Sequence, residues 1–284
     1  MDFLGFIIIC VKVLVVFSAT MLTVLMMVYA ERRVSAFMQG RLGPNRVGPQ
    51  GLLQPIADGI KFLMKEDIIP AGVNKPIYLL APAMLLIPAL MTFAVIPFGS
   101  TITLFGREVP LQVADLNVGI LYILALTSIG VYGLVLAGWA SNSKYSLIGG
   151  LRSSAQLISY ELAMGLSVVS VILLAGSLKL NVIVEDQQGY LLSWNVFKQP
   201  VAFLIFLVAV YAETNRLPFD LTEAEQELVG GYHTEYSSMK FAMFFTAEYA
   251  NMVTAAALTV TLFFGGWDVP LLNETSMGAL GAIP

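Results

Sequence analysis

Six apolar stretches set the fold of this chain before any other feature is considered. They run over Phe3–Tyr29, Ile77–Phe98, Leu116–Ala140, Ser154–Gly176, Pro200–Ala212 and Phe241–Trp267. A helix needs about 20 apolar residues to cross a bilayer. Five of the stretches meet that length, and the fifth in order, Pro200–Ala212, needs polar residues at its end to complete a crossing. The expectation is an all-α, polytopic bundle of transmembrane helices forming a single integral membrane domain over 1–284. Composition agrees, with 57% hydrophobic and 12% charged residues and a mean hydropathy of +0.80. Soluble domains carry about 25% charged residues, so an ordinary soluble enzyme is excluded. The acidic N-terminal Asp2, the long apolar run after it and the lack of a small-residue cleavage pattern make the first stretch a span rather than a signal peptide. Trp139, Trp194 and Trp267 fall at or just beyond predicted span ends, as in an interfacial aromatic belt.

Lys and Arg give the orientation. Arg32, Arg33, Arg41, Arg46, Lys61, Lys65 and Lys75 lie in the first connection, Lys144 and Arg152 in the third, Arg216 and Lys240 in the fifth. The second and fourth connections hold only Arg107, Lys179 and Lys198. The positive-inside rule puts the odd connections in the cytoplasm and the N-terminus outside. The first connection, 30–76, opens with turn formers in RLGPNRVGPQG. Leu53, Ile56, Ile60, Leu63 and Met64 then recur at helical spacing, with Asp58, Lys61 and Lys65 on the other face. That amphipathic helix, Leu52–Lys65, lies along the membrane interface or packs on a partner subunit, and the pattern serves both.

The connection at 213–240 is acidic. Asp220, Glu223, Glu225, Glu227 and Glu235 occur with no Lys or Arg between Leu217 and Met239. Such acids share protons or find cations on other segments. Glu223 and Glu227 are four apart and would share a helix face, while Pro218, Asp220 and Thr222 offer a helix start. Four spans carry an ionisable residue at or inside an edge: Lys12, Glu161, Glu213 and Glu248. Lys12 can snorkel to the outer end. The three Glu fall at similar depth on three helices, in the half nearest the acidic connection. They can form one buried polar cluster that handles protons, or a static network that fixes helix packing. For Glu213 a local pair with Arg216, three residues on, is the simple structural expectation.

Other chemistries are excluded or weak. The single Cys10 and single His233 leave no disulfide, no Cys/His metal cluster and no bis-His haem site within the chain. His233 is expected to be a hydrogen-bonded interface residue. The chain lacks the long basic run of a nucleic-acid binder.

Three blocks carry a family resemblance. They are AERRVSAFMQGRLGPNRVGPQGLLQPIADGIKFLMKED (Ala30–Asp67), SNSKYSLIGGLRSSAQLISYEL (Ser141–Leu162) and AETNRLPFDLTEAEQELVGGYHTEYSSMKFAMFFTAEYANM (Ala212–Met252). Together they resemble the quinone-site membrane subunit of respiratory complex I, a family of NADH–quinone oxidoreductase subunits that includes subunit 1 of the mitochondrial enzyme. The resemblance implies a subunit of a proton-translocating enzyme in the bacterial inner membrane, or the mitochondrial one if organellar. It implies no complete active site on this chain. Quinone is the substrate, and FMN and iron–sulfur clusters sit on partner subunits. Partners would be hydrophilic-arm quinone-module subunits, small and antiporter-like membrane subunits, and lipid. Glu31, Arg32, Arg41, Asp58, Lys61 and Arg216 match the charged quinone-tunnel motif, with Phe37 and Met38 as walls for an isoprenoid tail. Glu161, Glu213 and Glu248 match the intramembrane acidic path, with Glu223, Glu225 and Glu227 leading into it. The family continues with about two further helices and a basic segment, which this chain is expected to lack. A structural anchor without a proton role, and the related anchor of energy-converting hydrogenases, are the alternatives.

Overall fold

The computed structural model describes residues 3–104, 107–220 and 229–268. From the N-terminus, α1 (Phe3–Met38) is followed by the short α2 (Gln54–Met64) and then α3 (Lys75–Met91). A hairpin of β1 (Thr101–Leu104) and β2 (Arg107–Pro110) precedes α4 (Gly119–Ala140) and α5 (Lys144–Ala175). Short helices α6 (Leu180–Glu185) and α7 (Asn195–Lys198) lead to α8 (Pro200–Glu213) and α9 (Ser238–Phe263). α1, α3, α4 and α5 provide helices long and apolar enough to cross a membrane. In lipid the backbone must satisfy its own polar groups, which is why these apolar runs are helices. α8, with 14 residues, is short for a crossing. α9, with 26 residues, is long enough, but Glu248 and Asn251 lower its apolarity. The six expected stretches are therefore all built on helices, but only four qualify as spans by length and composition together.

The sequence places the end of the first helix at Tyr29, yet α1 runs on to Met38. The end of an apolar run marks the edge of the hydrocarbon, not the end of a helix. Glu31, Arg32 and Arg33 are themselves good helix formers. The helix stops where Gly40 takes a left-handed φ of 65°. At 36 residues α1 is about 54 Å long, well beyond the ~30 Å hydrocarbon core, so its charged last turns project beyond the apolar layer. α5 likewise begins at Lys144, ten residues before its apolar stretch. The hairpin, paired antiparallel from Thr101↔Pro110 to Leu104↔Arg107, is a departure from the all-helical expectation, confined to a connection between spans.

The core is a chain of neighbours: α3 on α4, α4 on α5, α5 on α8, and α9 back on α3. Tyr78, Phe206, Phe244 and Phe263 fill it. Helices in lipid associate by close packing, which small residues permit. A Cβ on Gly138 would stand 2.5 Å from the Ser146 carbonyl oxygen, and one on Gly149 would stand 2.6 Å from Gly231 Cα. The second contact presses the later part of the acidic connection directly onto α5. There Tyr236 stacks on Tyr78, ring centroids 4.1 Å apart, and donates to the Tyr78 carbonyl at 3.2 Å. Burial, with Tyr78 adding to it and Ser141 opposing, holds the Tyr236 phenol above its ordinary pKa.

α2 matches the expected amphipathic helix. Ser238 Oγ donates to the carbonyls of Phe62 (2.8 Å) and Lys65 (3.0 Å), tying its end to the start of α9. Arg32 pairs with Asp58 to tie it to α1. Its Ile56, Ile60, Leu63 and Met64 stay exposed.

Candidate functional site at the end of α8

The site begins with a turn. α8 ends at Glu213, and Asn215 takes a left-handed φ of 49°. Gln156 of α5 pins this turn, its Nε2 donating to the carbonyls of Ala212 and Phe219, each at 2.9 Å. The left-handed residue ends the helical spacing between Glu213 and Arg216. The expected local pair is accordingly replaced. Arg216 Nη1 donates to Glu31 Oε1 of α1 at 2.9 Å, and its Nε lies 3.2 Å from Glu248 Oε1 of α9. Tyr249 completes the group. Its hydroxyl donates to Glu31 Oε2 at 2.6 Å, and the guanidinium carbon of Arg216 lies 4.8 Å from its ring centroid. Burial works against the guanidinium charge, but Glu248, Tyr249 and Glu31 more than offset it and hold the Arg216 pKa above its ordinary value. Arg216 is a fixed cation shared by carboxylates of two helices.

Two cavities meet at this group. One, of about 630 Å³, is bounded by apolar Met27, Phe245 and Met252 and by polar Glu31, Asn215, Arg216, Asp220 and Glu248. An adjoining groove of about 390 Å³ shares Met27, Tyr211, Arg216 and Met252, then continues along apolar Leu207, Ala255 and Val260. The other cavity is small, about 30 Å³, with room for one or two waters. Glu161, Glu213 and Glu248 all line it, together with Thr127, Tyr232 and Asn251. Glu161 also accepts a hydrogen bond from Ser128 of α4. Glu248 lines both the large cavity and the small one, and it is the residue through which Arg216 touches the acidic group.

The structure thus groups Glu31, Arg216 and Glu248 around one ion-pair hub, and Glu161, Glu213 and Glu248 around one cavity. Arg32 and Asp58 form a separate pair, with Gln54 Nε2 donating to Asp58 at 3.2 Å. Phe37 and Met38, at the end of α1, are 84% and 80% exposed and line neither cavity. Arg41, whose Nε donates to Gln39 at 2.7 Å, and the exposed Lys61 also lie outside them. Glu223, Glu225 and Glu227 fall outside the described residues. His233 is buried between the rings of Tyr232, Phe241 and Phe245. Among the described residues, no group of three or more His, Cys, Asp or Glu is arranged to hold a metal. Sequence reasoning missed Tyr249 and Gln156. Each is a hydrogen-bonding side chain inside an apolar helix, and that is the signal that marks both.

A helical bundle of membrane-crossing segments, with a half-buried carboxylate cluster joined by one arginine to an amphipathic cavity, defines an integral membrane protein with an intramembrane charge site. The family model described as NADH dehydrogenase matches residues 11–282, and the chain belongs to that family. It is 60% identical over 257 residues to NADH-quinone oxidoreductase subunit 8 of Rhodothermus marinus, covering 90% of this chain and 73% of the relative. The H-type subunits of bacterial NADH-quinone oxidoreductases match as well. The second such subunit of Geobacter metallireducens is 60% identical over 270 residues, 91% of this chain and 78% of the relative. The one from Salinibacter ruber is 58% identical over 258 residues, 90% of this chain and 72% of the relative.

Proposed function

We propose that the chain is the membrane subunit of a proton-translocating NADH–quinone oxidoreductase, admitting quinone to the Arg216 cavity and passing the resulting charge change to the three-glutamate cavity. One observation carries the reading: Arg216 pairs at once with Glu31 beside the large cavity and with Glu248, which lines both cavities. The cavity's 630 Å³ falls within the roughly 300–1,000 Å³ of ligand clefts. Its few placed polar groups suit an oxygen-bearing ring, and the adjoining apolar groove suits an isoprenoid tail.

Reduction of a quinone to a quinol takes two electrons and two protons. With one cysteine and one histidine, this chain does not hold an iron–sulfur cluster by the usual ligands. The electrons would be supplied by FMN and iron–sulfur clusters on hydrophilic-arm subunits. What this chain supplies is electrostatic. Charge developing on the ring oxygens competes with Glu31 and Glu248 for the Arg216 guanidinium. As Arg216 is drawn toward the ring, Glu248 loses its cation and takes up a proton from cytoplasmic water, separate from the two water-derived protons that complete the quinol. Glu213 and Glu161 share that proton across the small cavity and deliver it toward antiporter-like neighbours. Glu223, Glu225 and Glu227 lead from the 213–240 connection into this path, and Arg32, Asp58, Lys61 and Arg41, with Phe37 and Met38, flank the quinone's approach along 30–76. In this reading the basic connections face the cytoplasm and the N-terminus faces outward.

The test uses the assembled enzyme in membranes carrying Glu31→Gln or Glu248→Gln. Glu31→Gln is expected to raise the KM for quinone, and Glu248→Gln to lower protons moved per electron in an intact complex. An unchanged proton yield in Glu248→Gln would overturn the reading.

A further inference from the structure

At the opposite end of α1 from the Arg216 site lies a third cavity, of about 440 Å³, between the first turns of α1 and the strap that follows the hairpin. Ile8, Val11 and Val15 line it from α1, and Phe98, Val109 and Leu111 from the other side. Its wall is almost wholly apolar, and Lys12 is the one charged residue among those lining it. Lys12 Nζ donates to the Gln112 carbonyl at 3.1 Å. Among the described residues no carboxylate pairs with it. An ammonium has three donors, and one is used here. An uncompensated charge beside an apolar wall in a membrane is unfavourable, and a counter-anion relieves it.

The level of Lys12 is fixed by its neighbours. The Gln112 side chain accepts from Asn181 Nδ2 at 3.0 Å and donates to the Val95 carbonyl at 2.5 Å, so its own polar atoms are engaged. Asn181 lies 3.4 Å from Asp115, which pairs with Lys179 at 2.7 Å. Lys12 is therefore joined, through two side chains, to a half-exposed ion pair. That chain leads from the rim of the cavity to partly exposed charged groups, and the apolar cavity adjoins the cation.

We propose that this cavity binds one anionic glycerophospholipid, its phosphodiester on the Lys12 ammonium and an acyl chain against Val11, Val15 and Phe98. The charge complementarity is the deciding point. A neutral quinone gives Lys12 no counter-charge, whereas a phosphodiester accepts the free donors and supplies the missing anion.

The experiment takes the assembled complex, stripped of loosely held lipid and placed in phosphatidylcholine nanodiscs with added phosphatidylglycerol. Native mass spectrometry counts the phosphatidylglycerol retained, and thermal inactivation reports its effect. Wild type and Lys12→Arg are expected to hold one phosphatidylglycerol more than Lys12→Met, and to be protected by it where Lys12→Met is not. Val11→Trp, which fills the groove and keeps the charge, is expected to lose the same lipid. If Lys12→Met does not assemble, the comparison of Lys12→Arg with Val11→Trp decides, and lipid retained by Val11→Trp overturns the proposal. Equal lipid counts in wild type and Lys12→Met overturn it too. So does a photoreactive group at Val15 that captures a helix of a neighbouring subunit in place of lipid.

Discussion

Arg216 and Glu248 meet at 3.2 Å, with Glu248 only 12% exposed. The guanidinium comes from the connection after α8, and the carboxylate from nearly three turns inside α9. Their contact joins the large cavity to the small one. What holds it in place, and what passes through it, governs how variants of this protein should behave.

Removing the cation should disable the site without dissolving it. Arg216→Ala is expected to lower quinone-dependent turnover about 10- to 100-fold, the equivalent of the roughly 1.5–3 kcal/mol of hydrogen bonds to charged groups. Arg216→Lys keeps the charge but loses the fork that reaches Glu31 and Glu248 together, so it should recover only part of the rate. Initial rates with a soluble quinone analogue measure both. Full activity in the alanine variant would refute a role for the hub.

Glu213 shares its cavity with Glu161 and Glu248. As a proton carrier it needs to gain and lose a proton, which glutamine does not do. Glu213→Gln should leave the complex assembled on a native gel and abolish coupled proton uptake, with turnover also reduced. Normal pumping alongside normal quinone reduction would make the cluster a structural network only.

Gly149 and Gly165 lie on the same helix in opposite circumstances. A Cβ at Gly149 would stand 2.6 Å from Gly231 Cα, whereas one at Gly165 meets nothing within 4 Å. Gly149→Ala is expected to cost about 1–3 kcal/mol through overpacking, displacing Tyr232 from the acidic cavity it lines. Gly165→Ala is expected to be neutral or to gain about 0.5–1 kcal/mol of helix stability. Thermal inactivation and proton yield compared in the two variants measure the difference, and equal effects would contradict the close contact.

The buried phenol of Tyr236 gives an alkaline signature. Its folded-state pKa is raised above the ordinary 10.0 by burial. The stability that follows is fully present below about pH 10, and is lost as pH rises through the higher folded value, because the unfolded chain releases the proton first. Tyr236→Phe should flatten the alkaline limb of a plot of inactivation temperature against pH. A limb of unchanged slope in that variant would assign the alkaline loss to other groups.

Much of this was legible in the sequence, for identifiable reasons. Apolar runs set the helices, and counting turns from the ends of three of them set Glu161, Glu213 and Glu248 at one depth; one cavity now contains all three. What spacing missed lies where the backbone leaves its regular period. Asn215, at a φ of 49°, turns Arg216 from its neighbour Glu213 to residues 185 and 32 positions away, Glu31 and Glu248. α1 outran its apolar stretch because Glu and Arg sustain a helix as well as Leu does. The hairpin at Thr101–Pro110 escaped notice because four-residue strands between spans carry too short a pattern to announce a pair.

The hydrogen bond from Tyr249 to Glu31 spans 218 residues of sequence. During synthesis α1 enters the bilayer first, and its partner α9 arrives only after every other described helix. Until then the Glu31 carboxylate has only Arg216, synthesised ahead of α9, and lacks the Tyr249 hydroxyl. The cavity around Arg216 is thus complete only once α9 is in place, and a nascent chain halted before Tyr249 would have the helices from α1 to α8 around an unfinished cavity. That bond ties the first long helix to the last described one, so two elements made at opposite ends of the described chain close the same cavity.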